Sequence, residues 1–132
     1  MTEQNPRERD HYHRSPAPWV VGASDIGQRH GTNQDAFNIA VHPDDRAAVV
    51  TVADGVSSAF GAEAASLVAA DAACEALVAH LDSDGTAADG FISAFEAAQD
   101  AVLRARQGEE ASACTLIAAF VSPEGFTIGN VG

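Results

Sequence analysis

The order of apolar and polar residues predicts short strands in two groups, separated by a long central region of helical spacing. The run at residues 49–52 is β-branched and almost wholly apolar, which is typical of a buried strand. The predicted strands are residues 19–24, 36–41, 49–52, 112–121 and 126–131. Because short polar turns join the first three, we expect them to form an antiparallel meander.

Two segments of the central region carry apolar residues at the spacing of an α-helix. The first predicted helix covers residues 62–81, and the second covers residues 86–107. Thr86 and Asp89 have the spacing of a capping box, and Gly108 is typical of the residue that follows a helix. We therefore predict two long helices that pack side by side.

Length and composition limit the chain to one modest hydrophobic core. The chain has 132 residues, of which 46% are hydrophobic, and a core of this size supports one domain. Residues 1–18 are polar, carry charges of both signs and include three prolines, so we expect a disordered N-terminal tail. Residues 19–132 form the predicted folded unit.

The formal net charge of −12 disfavours binding to nucleic acid backbones and to anionic membranes. The N-terminal residues lack the apolar run of a signal peptide, and the later apolar runs are strand-sized, so no membrane segment is predicted. Cys74 and Cys114 lie far apart in apolar contexts, which favours buried thiols in a reducing compartment. These features predict a cytoplasmic protein.

The predicted strand at residues 49–52 runs into Asp54-Gly55, and small polar residues follow before the first helix. Asp-Gly is a common turn signal, so one interpretation is a purely structural turn. The other interpretation is a cation site, because hard divalent cations bind carboxylate and carbonyl oxygens, and glycine leaves its carbonyl accessible. A polar cluster that includes Asp35 lies upstream and favours the cation site.

Two basic residues, Arg29 and His30, precede Asp35 in a predicted loop. One interpretation is a solvated pair of side chains. The other is an anion clamp, since guanidinium and imidazolium groups suit phosphate oxygens. The residues alone leave both interpretations open.

Three segments, taken in order, resemble the N-terminal half of the metal-dependent Ser/Thr protein phosphatase family known as PP2C or PPM. They are SDIGQRHGTNQDAF at residues 24–37, VVTVADGVSSAFGAEAAS at 49–66, and SACTLIAAFV with FTIGNVG at 112–132. The resemblance covers residues 19–132 and implies an α+β fold, a PP2C-like sandwich of antiparallel sheets flanked by helices. It also implies that the chain is truncated at its C-terminal end and holds only part of that fold, about five strands and one pair of long helices.

The resemblance further implies the residues of a site. Asp54 matches an aspartate that bridges two Mg²⁺ or Mn²⁺ ions, and Gly55 matches a glycine whose carbonyl binds one of them. Asp35 matches an acid beside the metal cluster that holds metal-bound water. The phosphate-binding Arg of the family falls on His30, with Arg29 one place earlier, so either residue or both would bind substrate phosphate.

The leading hypothesis is a metal-dependent protein serine/threonine phosphatase that hydrolyses phosphoserine or phosphothreonine through a two-metal-activated water. Its partner would be a phosphorylated protein substrate, and unpaired strands of a truncated domain predict self-association. The alternative is a non-catalytic PPM-like binding or regulatory module. It is favoured by Gln34 in place of a common Glu, by Val56 in place of a His found in some members, and by the family's other metal-ligand aspartates, which we expect beyond residue 132.

Overall fold

The computed structural model describes residues 6–106 and 110–132. In chain order its elements are α1 (Pro6–Asp10), β1 (His11–Ala17), β2 (Val20–Asp25), β3 (Asp35–Val41), β4 (Ala48–Asp54), α2 (Ala62–Leu81), α3 (Ala87–Ala105), β5 (Leu116–Ser122) and β6 (Gly125–Val131). The strands form two antiparallel sheets, one with the order β1-β2 and the other with the order β3-β4-β5-β6. The fold class is therefore α+β, as predicted.

Helices α2 and α3 pack on one face of the four-stranded sheet. Alternate residues of the central strands, such as Val49 and Ala53 of β4 and Leu116 of β5, join this core and are at most 3% exposed. The many alanines of α2 allow its backbone to approach β4 closely. The buried hydroxyl of Thr51 consequently donates a hydrogen bond to the carbonyl of Ala70 at 2.8 Å.

Both predicted helices are confirmed. α2 has the predicted bounds, and it packs against α3. The capping box at the start of α3 is also confirmed, because the Asp89 backbone N–H donates to the Thr86 hydroxyl at 3.2 Å, and the Thr86 N–H donates to the Asp89 carboxylate at 3.3 Å. α3 ends at Ala105, and the predicted terminal residues 107–108 lie outside the described residues.

By length and composition, α2 is apolar enough to cross a membrane, with a mean hydropathy of 1.4. Within residues 6–106 and 110–132 it is the only helix with this property. In the fold, α2 is a core helix, since Ala70, Ala73 and Leu77 are fully buried against the sheet and α3.

The N-terminal segment is ordered from residue 6 to residue 17, so the predicted disorder of residues 1–18 is wrong over that range. The ring of Tyr12 stacks on the ring of Phe37 with centroids 4.8 Å apart, and the Tyr12 hydroxyl accepts a hydrogen bond from the Phe37 N–H at 3.2 Å. These contacts join residues distant in sequence, which the local composition of the segment does not reveal. Residues 1–5 of the predicted tail lie outside the described residues.

The predicted three-strand meander is also wrong, because β2 pairs with β1 and not with β3. β2 instead lies over β3, where the Phe37 ring occupies the space beside Gly22 that a side chain there would need. The other predicted pair, β3 with β4, forms in register from Asp35–Asp54 to Val41–Ala48. The predicted meander is wrong because β2 pairs with the polar N-terminal segment, whose composition does not indicate a strand.

The predicted strand at residues 112–121 begins later in the structure, since β5 starts at Leu116. Ahead of it, Cys114 forms an isolated β-bridge with Gly55. The last predicted strand is confirmed as β6, which pairs with β5 along its full length.

The sheet face opposite the helices is only partly covered by β1 and β2. Paired residues of neighbouring antiparallel strands share a face, and on this face Val52, Ile117 and Ile128 are 43%, 44% and 52% exposed. This apolar surface is called the open face below.

Candidate functional site

The site begins with two carboxylates that the β3–β4 register places opposite each other. Asp35 is the first residue of β3, Asp54 is the last residue of β4, and they are direct partners across the ladder. Side chains of such partners point to the same face, with Cβ atoms about 4.5–5.5 Å apart. Both residues are exposed, so the structure forms a paired-carboxylate edge that solvent can reach.

The two carboxylates interact electrostatically. Burial and, after it, the hydrogen bond and negative charge of Asp54 raise the pKa of Asp35. The backbone N–H of Gly55 and the positive charge of His30 act on that pKa in the opposite direction and do not cancel the rise. A divalent cation between the carboxylates would relieve the repulsion that remains at neutral pH.

Gly55 lies beside this pair in a space that admits no side chain. It is buried, its N–H donates to the Gln34 carbonyl at 3.0 Å, and a Cβ would lie 2.8 Å from the Ala62 carbonyl oxygen. The Asp54 carbonyl is occupied by the Thr115 N–H at 2.8 Å. Among the described residues no hydrogen bond reaches the Gly55 carbonyl, which leaves that oxygen available as a ligand.

The segment between β4 and α2 is held by hydrogen bonds at both ends, and its middle is exposed. The Val56 N–H donates to the Ala113 carbonyl at 3.0 Å, and the Ser112 hydroxyl donates to the Phe60 carbonyl at 2.8 Å. Gly61 has φ +67°, a left-handed conformation that favours glycine, and serves as the N-cap of α2. The local sequence therefore turns from β4 into α2 without burying Asp54.

The two basic candidates differ in their relation to the acidic pair. Both Arg29 and His30 are exposed in the loop before β3. The charge of His30 is close enough to act on Asp35, whereas Arg29 makes no hydrogen bond or ion pair with the residues that the structure describes. The structure thus links His30 to Asp35 through its charge alone, and within the described residues neither basic side chain makes a hydrogen bond with Asp35, Asp54 or Gly55.

A cleft of about 400 Å³ opens between β2 and the β3–β4 hairpin, and both carboxylates line it. Asp25 also lines this cleft and was not recognised in the sequence as a site residue. Its carboxylate accepts hydrogen bonds from the Gly27 N–H at 2.7 Å and from His11 Nδ1 at 2.7 Å, and these contacts lower the pKa of Asp25. Apart from Ser24, apolar residues of β2, β3 and β4 form the rest of the lining.

Asn33 is a second residue whose importance the sequence did not reveal. It is 3% exposed and hydrogen-bonds to three different segments, including the N–H of Asp35 at 3.1 Å. The available signal was its position two residues before Asp35, which is the spacing of an Asx-turn.

Both cysteines are free thiols, and the prediction that they are buried is confirmed for Cys74 but is wrong for Cys114. Cys74 is buried, and desolvation raises its pKa to about 11. Cys114 is only half-buried and lies near the site, since burial and then the Asp54 charge raise its pKa. Raised thiol pKa values mean little thiolate at neutral pH, so neither side chain is activated as a nucleophile.

The donor set of this edge can be compared with the needs of a cation. Among residues 6–106 and 110–132 no group of three His, Cys, Asp or Glu side chains is placed to hold a metal ion. The available oxygens are the two carboxylates and the Gly55 carbonyl, all of the hard type that Mg²⁺ and Mn²⁺ accept. Mg²⁺ commonly binds through one or two carboxylates and keeps several waters. The type and number of oxygen ligands at this edge therefore fit such an ion.

Paired carboxylates at a sheet end, next to a glycine carbonyl, define a candidate divalent-cation site on an α+β scaffold. A family model for protein phosphatase 2C matches residues 21–132. The chain therefore belongs to the protein phosphatase 2C family, and the resemblance of its three motifs is confirmed. A comparison with curated proteins found no match.

Proposed function

We propose that the chain carries the first part of the catalytic site of a metal-dependent protein serine/threonine phosphatase. The observation that supports this most directly is the register that sets Asp35 against Asp54, with Gly55 beside them. Family membership supports a phosphatase-type domain. The proposed cofactors are two Mg²⁺ or Mn²⁺ ions in the complete domain.

Each residue of the site has a separate task in this proposal. Bound cations would supply an activated water and neutralise charge on the phosphoryl group. Asp54 and the Gly55 carbonyl would hold the cations, and Asp35 would orient water beside them. His30 is the better placed residue to bind substrate phosphate, because its charge already acts at Asp35. Arg29, the exposed neighbour of His30, is the other candidate for that role.

The proposed substrate is a protein that carries phosphoserine or phosphothreonine. The net charge of −12 supports neither nucleic acid nor an anionic membrane as a partner, and a cytoplasmic location remains part of the proposal. Self-association is proposed as well, because the open face exposes several apolar side chains.

The test is Mn²⁺-dependent hydrolysis of a phosphothreonine peptide by the 132-residue chain, with EDTA as the blank. The Asp54→Ala variant should lose at least about 100-fold in rate, because it removes the ligand proposed to bridge the cations. Asp84→Ala is the matched control, since Asp84 is an exposed aspartate in the turn between α2 and α3. This control should retain the wild-type rate.

The rival function is a non-catalytic PPM-like binding module, which Gln34 and Val56 favour. It predicts that the folded chain binds the phosphopeptide without turnover and that Mn²⁺ does not change this result. Equal hydrolysis rates for wild type and Asp54→Ala would contradict the proposed catalytic role of Asp54.

A further inference from the structure

Asn33 is almost fully buried although it lies in the loop that precedes β3. Its Nδ2 donates to the Arg9 carbonyl at 2.9 Å and to the Ser24 hydroxyl at 2.8 Å. Its Oδ1 accepts a hydrogen bond from the Asp35 backbone N–H at 3.1 Å. Both amide hydrogens and the amide oxygen are therefore engaged.

These bonds join three segments of chain at the edge of the site. Asn33 links the end of α1 and the end of β2 to the first residue of β3, which is Asp35. The next residue, Gln34, accepts the N–H of Gly55 through its carbonyl at 3.0 Å. The backbone that carries Asp35 is thus fixed from one side by Asn33 and tied on the other side to Gly55.

The same hydrogen-bond network connects Asn33, through Arg9, to the buried core. The Arg9 guanidinium donates to the hydroxyl of Ser66 at 3.0 Å, and Ser66 is fully buried in α2. Its hydroxyl donates in turn to the Glu63 carbonyl at 3.2 Å. Because α2 follows directly after the segment that begins at Gly55, the same helix anchors both sides of the site.

We propose that Asn33 is a positioning residue that holds Asp35 opposite Asp54 and thereby sets the affinity of the edge for divalent cations. This inference rests on the proposed function for its metal-binding consequence, but its structural part can be tested without metal. It also gives the N-terminal segment a role in the site, because the Arg9 carbonyl is one of the acceptors that hold Asn33.

The physical reason is the precision that ligand placement requires. Residues that hydrogen-bond to ligand-bearing groups commonly change metal affinity by about 10- to 100-fold when they are replaced. The Asn33→Ala variant would leave the Arg9 carbonyl, the Ser24 hydroxyl and the Asp35 N–H without their partner. Asp35 would then lose its fixed position relative to Asp54.

A matched control lies in the same strand as Asp35. Asn38 of β3 donates to the Asp71 carboxylate at 3.0 Å and accepts from Arg14 at 2.8 Å. It therefore also ties α2 to the N-terminal segment, but it does not contact Asp35. Asn38→Ala should lower the free energy of unfolding without disturbing the site.

The first measurement is amide hydrogen exchange by NMR in EDTA, with rates corrected for global stability through the amide of Thr51 in the core of β4. In Asn33→Ala the amides of Asp35 and Gly55 should exchange about tenfold faster than in wild type. In Asn38→Ala their corrected rates should stay unchanged. Unchanged rates for both amides in Asn33→Ala would overturn the positioning role.

The second measurement is the Mn²⁺ dissociation constant by calorimetry for the folded variants. Asn33→Ala should raise it about tenfold or more, whereas Asn38→Ala should leave it at the wild-type value. Equal constants for the two variants would overturn the inference, because loss of stability would then explain both. If wild type binds no Mn²⁺, the proposed function fails, and the exchange rates alone decide the role of Asn33.

A milder variant serves if Asn33→Ala does not fold. Ser24→Ala removes only one of the acceptors of Asn33 and should raise the corrected exchange of the Asp35 amide by about threefold. An exchange rate equal to that of wild type would contradict the proposal.

Discussion

At the scale of single residues, the site contains a carboxylate, that of Asp35, whose ionised form destabilises the metal-free fold. The pKa of Asp35 is raised in the folded chain, mainly by burial and then by Asp54. Folding therefore favours the protonated form of Asp35. The contribution of this form to the free energy of unfolding is fully present below the ordinary aspartate pKa. That stability is lost as the pH rises through the raised pKa of the folded state.

The prediction is that Asp35→Asn raises the melting temperature of the chain at pH 7 in EDTA. Solvent screening at this exposed site limits the gain to about 1–3 °C. The gain should disappear near pH 3 and should reverse when Mn²⁺ is added, because Asn is the poorer ligand. Asp84→Asn, which removes the same unit of charge from a turn, is the control for net charge. An equal gain in both variants would contradict the local destabilisation of the Asp35 carboxylate by burial and by Asp54.

Some features of the site can be predicted from a short stretch of sequence, and others depend on residues far apart in the chain. The position of Asp54 and Gly55 at the end of a buried strand was predictable from one short stretch, whereas their proposed roles at a cation site come from the family resemblance. Asn33 was not predictable, since its role depends on Arg9 and Ser24, which lie elsewhere in the chain. Whether Arg29 or His30 lies near Asp35 depends on the path of an irregular loop, which residue spacing does not determine.

At the scale of secondary-structure elements, the helices were the most predictable parts. Their bounds follow from local features, namely the alanine-rich stretch of α2, which contains no glycine or proline, and the capping box at the start of α3. The pairing of β2 was not predictable in the same way, because its partner β1 is a polar strand of the segment HYHRSPA. That strand is stabilised by contacts with β3, among them the stacking of Tyr12 on Phe37.

This contact leads to a prediction about the N-terminal segment. Tyr12→Ala should lower the free energy of unfolding by about 2 kcal/mol, because it removes a partly buried ring and the acceptor of the Phe37 N–H. Tyr12→Phe, which removes only the hydroxyl, should cost about 1 kcal/mol. His13→Ala alters the exposed neighbour and should stay within about 0.5 kcal/mol of wild type. Urea unfolding gives all three values, and equal stability of Tyr12→Ala and His13→Ala would mean that the segment is not packed.

At the scale of the whole molecule, two surface properties oppose each other. The net charge of −12 keeps copies of the chain apart at low ionic strength. The open face, with Val52, Ile117 and Ile128 partly exposed, favours association once that repulsion is screened. Composition predicted the charge, but only the strand register shows that these apolar residues lie together on one face.

The final prediction is that sedimentation velocity will detect self-association that increases as salt rises from about 0.02 M to 0.5 M, because the screening length falls below about 5 Å over that range. Ile128→Thr should weaken the association, since Ile128 lies on the open face and is 52% exposed. Ile92→Thr is the matched control, because Ile92 is 57% exposed but lies on α3, on the other side of the sheet. Equal weakening by both substitutions would show that general surface hydrophobicity causes the association, and a chain that stays monomeric in high salt would contradict the role of the open face.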